Sequence, residues 1–418
     1  MAPHRIRATY FIETPFDPES AALAMAGEQS SGTFLKVPGE TEALKERSAA
    51  RVENITLLGK KQRPSLPGAR IDPTLPVTQA HVTLSWPFDN IGADLLNLMA
   101  TVAGNLFELH QFTGLRLLDI MLPAPFCAAY DGPKFGIAGT RALAGVTRGA
   151  VIGTIIKPSV GLNAQETADM VHTLTQANID FIKDDELQAN GPACPFEDRA
   201  HAVMRVINDH AEKTGKKVMY AFNITGTHDQ MRRRHDLVHR LGGTCVMASV
   251  NSIGLAGMLG LSEHSQLPIH AHRNGWGYLS RCPELGFDYI AWSKFWRLAG
   301  VDHMHVNGLQ NKFSETDESV IRSAKSMTDP MFDEKSFAVM PVFSSGQSVT
   351  QVAQTYENLG HADLIYAAGG GIMGHPMGPA AGVSALRDAW DAALEGHAPE
   401  AYAQTRPALR IALDAYRR

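Results

Sequence analysis

VIGTIIKPSVGLNAQETADMVHTLTQANIDFIKDDE, residues 151–186, carries the pattern from which the fold follows. Val151–Ile156 is a short β-prone run, Ala164–Ala177 repeats its apolar residues at helical spacing, and Asp180–Lys183 is β-prone again. Downstream the alternation continues through Lys217–Phe222, Thr244–Ser249, Pro268–His272, His303–Val306, Ala338–Phe343 and Leu364–Ala368. Amphipathic stretches such as Glu197–Thr214 and Thr350–Leu359 lie between these runs. Eight strand–helix repeats predict a parallel sheet closed into a (β/α)₈ barrel over residues 131–418. A doubly wound open sheet is the rival architecture, and the first strand is not followed by the GxGxxG turn it would need.

Residues 1–130 lack this regularity. Ile6–Thr14, His81–Trp86 and Leu115–Leu122 read as strands, Glu19–Gln29 and Ile91–Phe107 as helices, and Gly59–Pro76 as a loop. Ala124–Arg148 reads as a connection into the barrel. Strands and helices in that order suit an α+β, ferredoxin-like domain with helices on one face of an antiparallel sheet.

A chain of 418 residues accommodates a barrel of about 250 residues and a further domain. The formal charge of −5 speaks against a nucleic-acid surface, and Arg232-Arg233-Arg234 reads as a solvated helix face. The four cysteines, at 127, 194, 245 and 282, have no metal-type spacing. With no signal-like start and no membrane-length apolar run, a reduced, cytoplasmic enzyme is expected.

Each β run of the barrel ends in polar or glycine residues, at the rim where barrels build their sites. In FIKDDE (181–186) the period of two puts Lys183 and Asp185 on one face, with Glu186 at the turn. Two carboxylates suit a hard cation such as Mg²⁺. The lysine would join them only as a carbamate formed with CO₂, and a plain salt-bridged loop is the alternative. His270, His272, His303 and His305 place imidazoles at two consecutive strand ends, for acid–base work or, in the rival reading, zinc. Arg273 could clamp a phosphate or form an ion pair. GGGIMGHPMGPAAG (369–382) and Ser345-Gly346 end the last two strands, where barrels commonly seat phosphate.

These motifs resemble rubisco, nearly end to end. The resemblance rests on GTIIKPSVGL (153–162), FIKDDE, HAHRNG (270–275), DHMHVNG (302–308), SSG (344–346) and GGGIMGHPMG (369–378). It extends to GEQSSGTF (27–34) and AGNLF (103–107). By position it implies that Lys183, as its carbamate, binds Mg²⁺ with Asp185 and Glu186. It places Lys157 at the proton-transfer centre, His272 and His305 on substrate oxygens, and Lys312 as the lysine of a mobile loop. Arg273, Ser345, Gln347, Gly369 and Gly370 fall at phosphate-binding positions. Glu28, Thr33 and Asn105 match residues lent to a partner subunit, which implies a homodimer or an assembly of dimers.

The departures point away from CO₂ fixation. Ser159 stands where the family carries a second lysine, QNKFSET (310–316) replaces the glycine-flanked loop, Gln347 replaces a glycine, and Phe34 replaces a tryptophan. The resemblance is therefore to a rubisco-like protein, a Mg²⁺-dependent enzyme that forms an enolate of a phosphorylated keto compound. Retention of Lys157, Lys312 and both histidines favours decarboxylation of a β-keto sugar-acid phosphate such as 3-oxo-isoapionate 4-phosphate. Enolisation of 2,3-diketo-5-methylthiopentyl-1-phosphate, isomerisation of 5-methylthioribulose-1-phosphate and a non-catalytic scaffold are the alternatives.

Overall fold

The structure, a computed structural model, describes residues 4–31, 38–66 and 70–417. Its chain forms two compact units, one of Met1–Asp131 with Gly275–Trp296 and one of Gly132–Asn274 with Arg297–Arg418.

The first unit is built on strands β1 (Arg5–Thr14), β2 (Arg51–Lys61), β3 (Val77–Pro87) and β4 (Gly114–Met121). β1 runs antiparallel to β3 and β4, and β2 antiparallel to β3. Helices Pro18–Glu28 and Leu95–Ala103 start at aspartates, Asp17 and Asp94, whose side chains accept backbone N–H groups of the first turn. The expected loop at Gly59–Pro76 gives up residues 59–61 to β2, an edge strand exposed along nearly its whole length. Such a strand buries little apolar surface, so it shows no apolar alternation. Expected helix Ile91–Phe107 is shorter, with a 3-10 turn at Asn105–Glu108, and the connection 124–148 contains helices Ala124–Ala129 and Gly136–Ala144.

The second unit carries β5 (Val151–Ile155), β6 (Phe181–Lys183), β7 (Met219–Asn223), β8 (Cys245–Ser249) and β9 (Ile269–His272). After β9 the chain joins the first unit, where β10 (Leu285–Phe287) pairs parallel with β4. It then completes the second unit with β11 (His303–His305), β12 (Met340–Phe343) and β13 (Ile365–Ala367). β5 to β9 and β11 to β13 close into one parallel barrel in the order β11-β12-β13-β5-β6-β7-β8-β9. All eight strands begin and end within two residues of the expected runs.

Alternate residues of each strand face inward. Val151, Phe181, Met219, Ala221, Cys245, Met247, Met340, Val342, Ile365 and Ala367 form one buried cluster with Ala144 and Val146. The Val, Ile, Met and Phe side chains among them each contribute about 1.5–3 kcal/mol on burial. Gly153 is demanded by this packing, because a Cβ there would lie 2.9 Å from the Phe181 ring. Continuing the same period toward the C-terminal ends brings Lys183, Asn223, His272, His305 and Ser344 to the rim. Among the described residues no helix is long and apolar enough to cross a membrane.

Candidate active site

The KDDE turn sorts its own acids. Strand β6 ends at Lys183, and the next side chain, Asp184, turns into the barrel wall rather than toward the rim. It accepts Tyr220 Oη at 2.6 Å, the Asn223 N–H at 2.8 Å and the Arg199 guanidinium at 3.2 Å. Arg199 is fully buried and held charged by Asp184 against the cost of burial. Asn223 also donates to the carbonyls of Asp185 and Glu186, at 3.2 and 3.1 Å. Asp184, Arg199, Tyr220 and Asn223 therefore fix the turn that presents Asp185 and Glu186. Reading the acids by residue type alone could not separate Asp184 from its neighbours.

Lys183 is 1% exposed, with its Nζ 2.8 Å from the Asp184 carbonyl and 3.5 Å from Glu186 Oε2. Burial lowers its pKa although three carboxylates lie close, and so favours the uncharged amine, the form that reacts with CO₂. Lys157 Nζ donates to Asp185 Oδ2 at 2.6 Å and to Ser159 Oγ at 2.8 Å. His272 Nε2 lies 3.4 Å from Glu186 Oε2, while burial and Lys183 push its pKa down to about 4. Lys157, Lys183, Asp185, Glu186 and His272 are thus brought together.

His305 is wired into the barrel interior. Its Nδ1 meets Ser344 Oγ at 3.0 Å and its Nε2 meets His270 Nε2 at 2.8 Å. His270 Nδ1 faces His303 Nδ1 at 3.4 Å, and His303 Nε2 faces Thr140 Oγ1 at 2.7 Å. Burial pushes His270 and His305 well down and His303 to about 3, so all three are neutral and carry one N–H each. Thr140 gives its proton to the Gly136 carbonyl, which makes it the acceptor from His303. Each link is then determined: His303 accepts from His270, His270 from His305, and His305 Nδ1 from Ser344. These nitrogens face one another in pairs, an arrangement suited to a hydrogen-bonded file and not to a shared zinc ion.

Arg273 donates to Glu315 Oε2 at 2.6 Å, and Asn307 Nδ2 donates to the same oxygen at 2.7 Å. Ser345 Oγ donates to Asn307 Oδ1 at 2.9 Å. Lys312 is exposed, with its ammonium 5.3 Å from the centre of the Phe313 ring, and is not drawn into the cluster. Gln347 is buried behind the rim, donating to the Leu309 carbonyl at 2.9 Å and accepting from Tyr366 at 3.2 Å, so its side chain is committed elsewhere. Gly369 and Gly370 open the turn after β13, and nothing lies within 4 Å of a Cβ position at Gly370. In the first unit, Asn105 Nδ2 and Glu28 Oε1 are 3.4 Å apart, both exposed, while Thr33 and Phe34 lie outside the described residues.

His235, Asp236 and His264, on helices outside the barrel, bring ligand-type atoms within 4.8 Å of one another. The Gln266 N–H donates to His235 Nε2 and Arg232 Nε to His264 Nδ1. Both ring protons therefore point at Asp236, at 3.0 and 2.6 Å, and the trio is a carboxylate held by two N–H groups.

Residues 136–416 match the ribulose bisphosphate carboxylase large chain catalytic domain, and residues 5–126 match its N-terminal domain. The chain is 58% identical to a 3-oxo-isoapionate-4-phosphate transcarboxylase/hydrolase of Xanthobacter autotrophicus, covering 99% of each chain. It is 45% identical to a 3-oxo-isoapionate-4-phosphate decarboxylase of Rhizobium etli, covering 98% of each. A crystal structure of a rubisco-like protein from Burkholderia fungorum superposes with a TM-score of 0.93 at 46% identity, over 99% of this chain and 100% of that one.

Proposed function

This chain belongs to the ribulose bisphosphate carboxylase large-chain family, as a rubisco-like member, and we propose that it cleaves the carboxyl group from 3-oxo-isoapionate 4-phosphate or a close β-keto sugar-acid phosphate. The observation that carries this reading is the convergence of Lys157, Lys183, Asp185, Glu186 and His272 on one side of the rim. Relatives named for that substrate at 58% and 45% identity support the choice of compound.

Lys183 as its carbamate, with Asp185 and Glu186, would hold Mg²⁺. Their fit rests on a buried amine set beside two carboxylates, an all-oxygen donor set once CO₂ has added. When bound, the ion supplies Lewis-acid stabilisation to oxygens that gain negative charge. The chain's own groups do the rest. The bond from the carboxyl group to the adjacent carbon breaks, its electron pair moves through that carbon onto the β-keto oxygen, and CO₂ leaves. Lys157, half-exposed beside the carboxylate cluster, returns a proton to the carbon. His272 orients a substrate hydroxyl, and the Ser344 oxygen, its proton given to His305, accepts from another. Lys312 is the cation that pairs with the substrate carboxylate before CO₂ leaves, and the backbone of Gly369 and Gly370 holds the phosphate. Exposed Glu28 and Asn105, with Thr33, are lent to the site of a second copy in a homodimer.

The 58% relative favours a second fate for the same carboxyl group, its transfer followed by hydrolysis. Substrate carrying ¹³C in the carboxyl group, incubated with Mg²⁺ and bicarbonate, separates the two. Labelled CO₂ supports decarboxylation, and a labelled soluble product supports transfer. An intact carboxyl group in every β-keto acid phosphate tried refutes both. Light scattering on the eluting protein should give twice the 45.3 kDa chain mass or an even multiple.

A further inference from the structure

The rim holds residue types for two phosphate seats, while the proposed substrate carries one phosphate. We infer that Glu315 closes the second seat by occupying the anion position on Arg273, so that the site accepts a sugar monophosphate and discriminates against a bisphosphate. The inference deepens the functional reading above and rests on it for the substrate class.

Arg273, which would grip the second phosphate, leads directly into this one carboxylate, and Ser345, on the wall next to the glycine turn, leads into it through Asn307. Arg273, 5% exposed, donates to Glu315 Oε2 at 2.6 Å, a short charge-assisted bond. Ser345 donates to Asn307 Oδ1 at 2.9 Å, and the other end of that amide donates to Glu315 Oε2 at 2.7 Å. Glu315 Oε1 accepts from Ser319 Oγ at 3.0 Å, at the first turn of helix Asp317–Thr328, so both its oxygens are anchored. Asn307 and Ser345 hold their side chains in this file from left-handed backbone conformations, φ 66° and 72°. Asparagine tolerates that region, whereas serine adopts it seldom. A dianionic phosphate brought to Arg273 would meet a fixed carboxylate and find the Ser345 proton already given away. At the glycine turn, nothing among the described residues lies within 4 Å of a Cβ position on Gly370.

Calorimetric titration of ribulose 5-phosphate and ribulose 1,5-bisphosphate, with Mg²⁺ and bicarbonate present, tests this. Wild-type protein should bind the monophosphate at least as tightly as the bisphosphate. Glu315→Gln, which keeps the shape and removes the charge, should shift the ratio at least tenfold toward the bisphosphate. Glu315→Ala, which empties the position, should shift it at least as far. If the alanine variant does not fold, the glutamine variant decides alone. A wild-type preference of tenfold or more for the bisphosphate would overturn the inference. So would a ratio that moves less than threefold in the variants, or wild-type protein that binds neither probe. Binding is read without turnover. Failure of CO₂ release with the selectivity intact therefore removes only the functional reading, and the reverse result removes only this one.

Discussion

Replacing Arg199 with methionine should destabilise the barrel and loosen the turn that carries Asp185 and Glu186 together. The guanidinium is fully buried and is the cation that offsets Asp184, itself 1% exposed. It also donates to the carbonyls of Gln188, Ala189 and Cys194, at 3.0, 2.9 and 3.1 Å. Methionine fills much of the volume and, among the described residues, leaves Asp184 with Tyr220 Oη and the Asn223 N–H. Breaking a buried pair from one side costs about 3–5 kcal/mol, and the three orphaned carbonyls place this case toward the upper end. In a unit of this size that is a fall in melting temperature of roughly 10 °C or more. Asp184→Asn should cost less, since Arg199 keeps its three carbonyls. The double variant should be about 1–3 kcal/mol milder than the sum, because it leaves no unpaired charge. Differential scanning calorimetry of the four proteins measures the cycle. Additive losses, or an Arg199→Met protein melting within 2 °C of wild type (on the order of 1 kcal/mol), would refute the reasoning.

Lys183→Ala should abolish Mg²⁺-dependent turnover while circular dichroism stays unchanged, and retention of a tenth of the rate would count against a carbamate role. Gly153→Ala should destabilise by about 1–3 kcal/mol through overpacking, since its Cβ would sit 2.9 Å from the Phe181 ring. Phe181→Leu should then recover part of that loss, and no recovery in urea melts would argue against the contact. Stability should fall on acidification from pH 7 to 5. His235, His270 and His303 have folded-state pKa values lowered by burial, so the unfolded chain takes up protons first, below about 6.5. Each adds up to about 1.4 kcal/mol per pH unit, and a melting temperature that rises over this interval would contradict their neutrality.

Barrel strands were legible because burial on both faces makes them short apolar runs with fixed polar endings. Edge strand β2 was not legible, since RVENITLLGKK lies mostly in solvent and carries no alternation. β10, three residues long, depends on pairing with β4, a partner far away in sequence. Within the site, the period of two runs on to the rim at Lys183, Asp185 and His272 and leaves Glu186 to the turn, whereas Lys157 was drawn in by the family resemblance. Glu315 and Asn307 could not be read from either. Their part is set by an ion pair 42 residues apart in sequence and a hydrogen bond spanning 38, and neither leaves a local pattern. Gln347 stands at a position matching a phosphate ligand, yet it is turned away by contacts with Leu309 and Tyr366 that only the folded chain discloses.

The same inward period explains why histidines appear where a barrel would otherwise pack aliphatic side chains. His270 and His303 are inward-facing neighbours on paired strands, with the Phe181 ring tilted against His270 at 5.2 Å between ring centres. An imidazole there is costly to bury unless both nitrogens are satisfied, and among the described residues their partners are other imidazoles and Thr140. Satisfying them in sequence leaves no freedom in the last member, so the tautomer of His305 at the rim is decided by a hydroxyl at the opposite end of the file. The rim hydroxyl of Ser344 is in turn obliged to donate inward, which leaves its oxygen lone pairs facing outward as acceptors. A substrate group that meets Ser344 must therefore bring a proton, as a sugar hydroxyl does and a fully ionised phosphate does not.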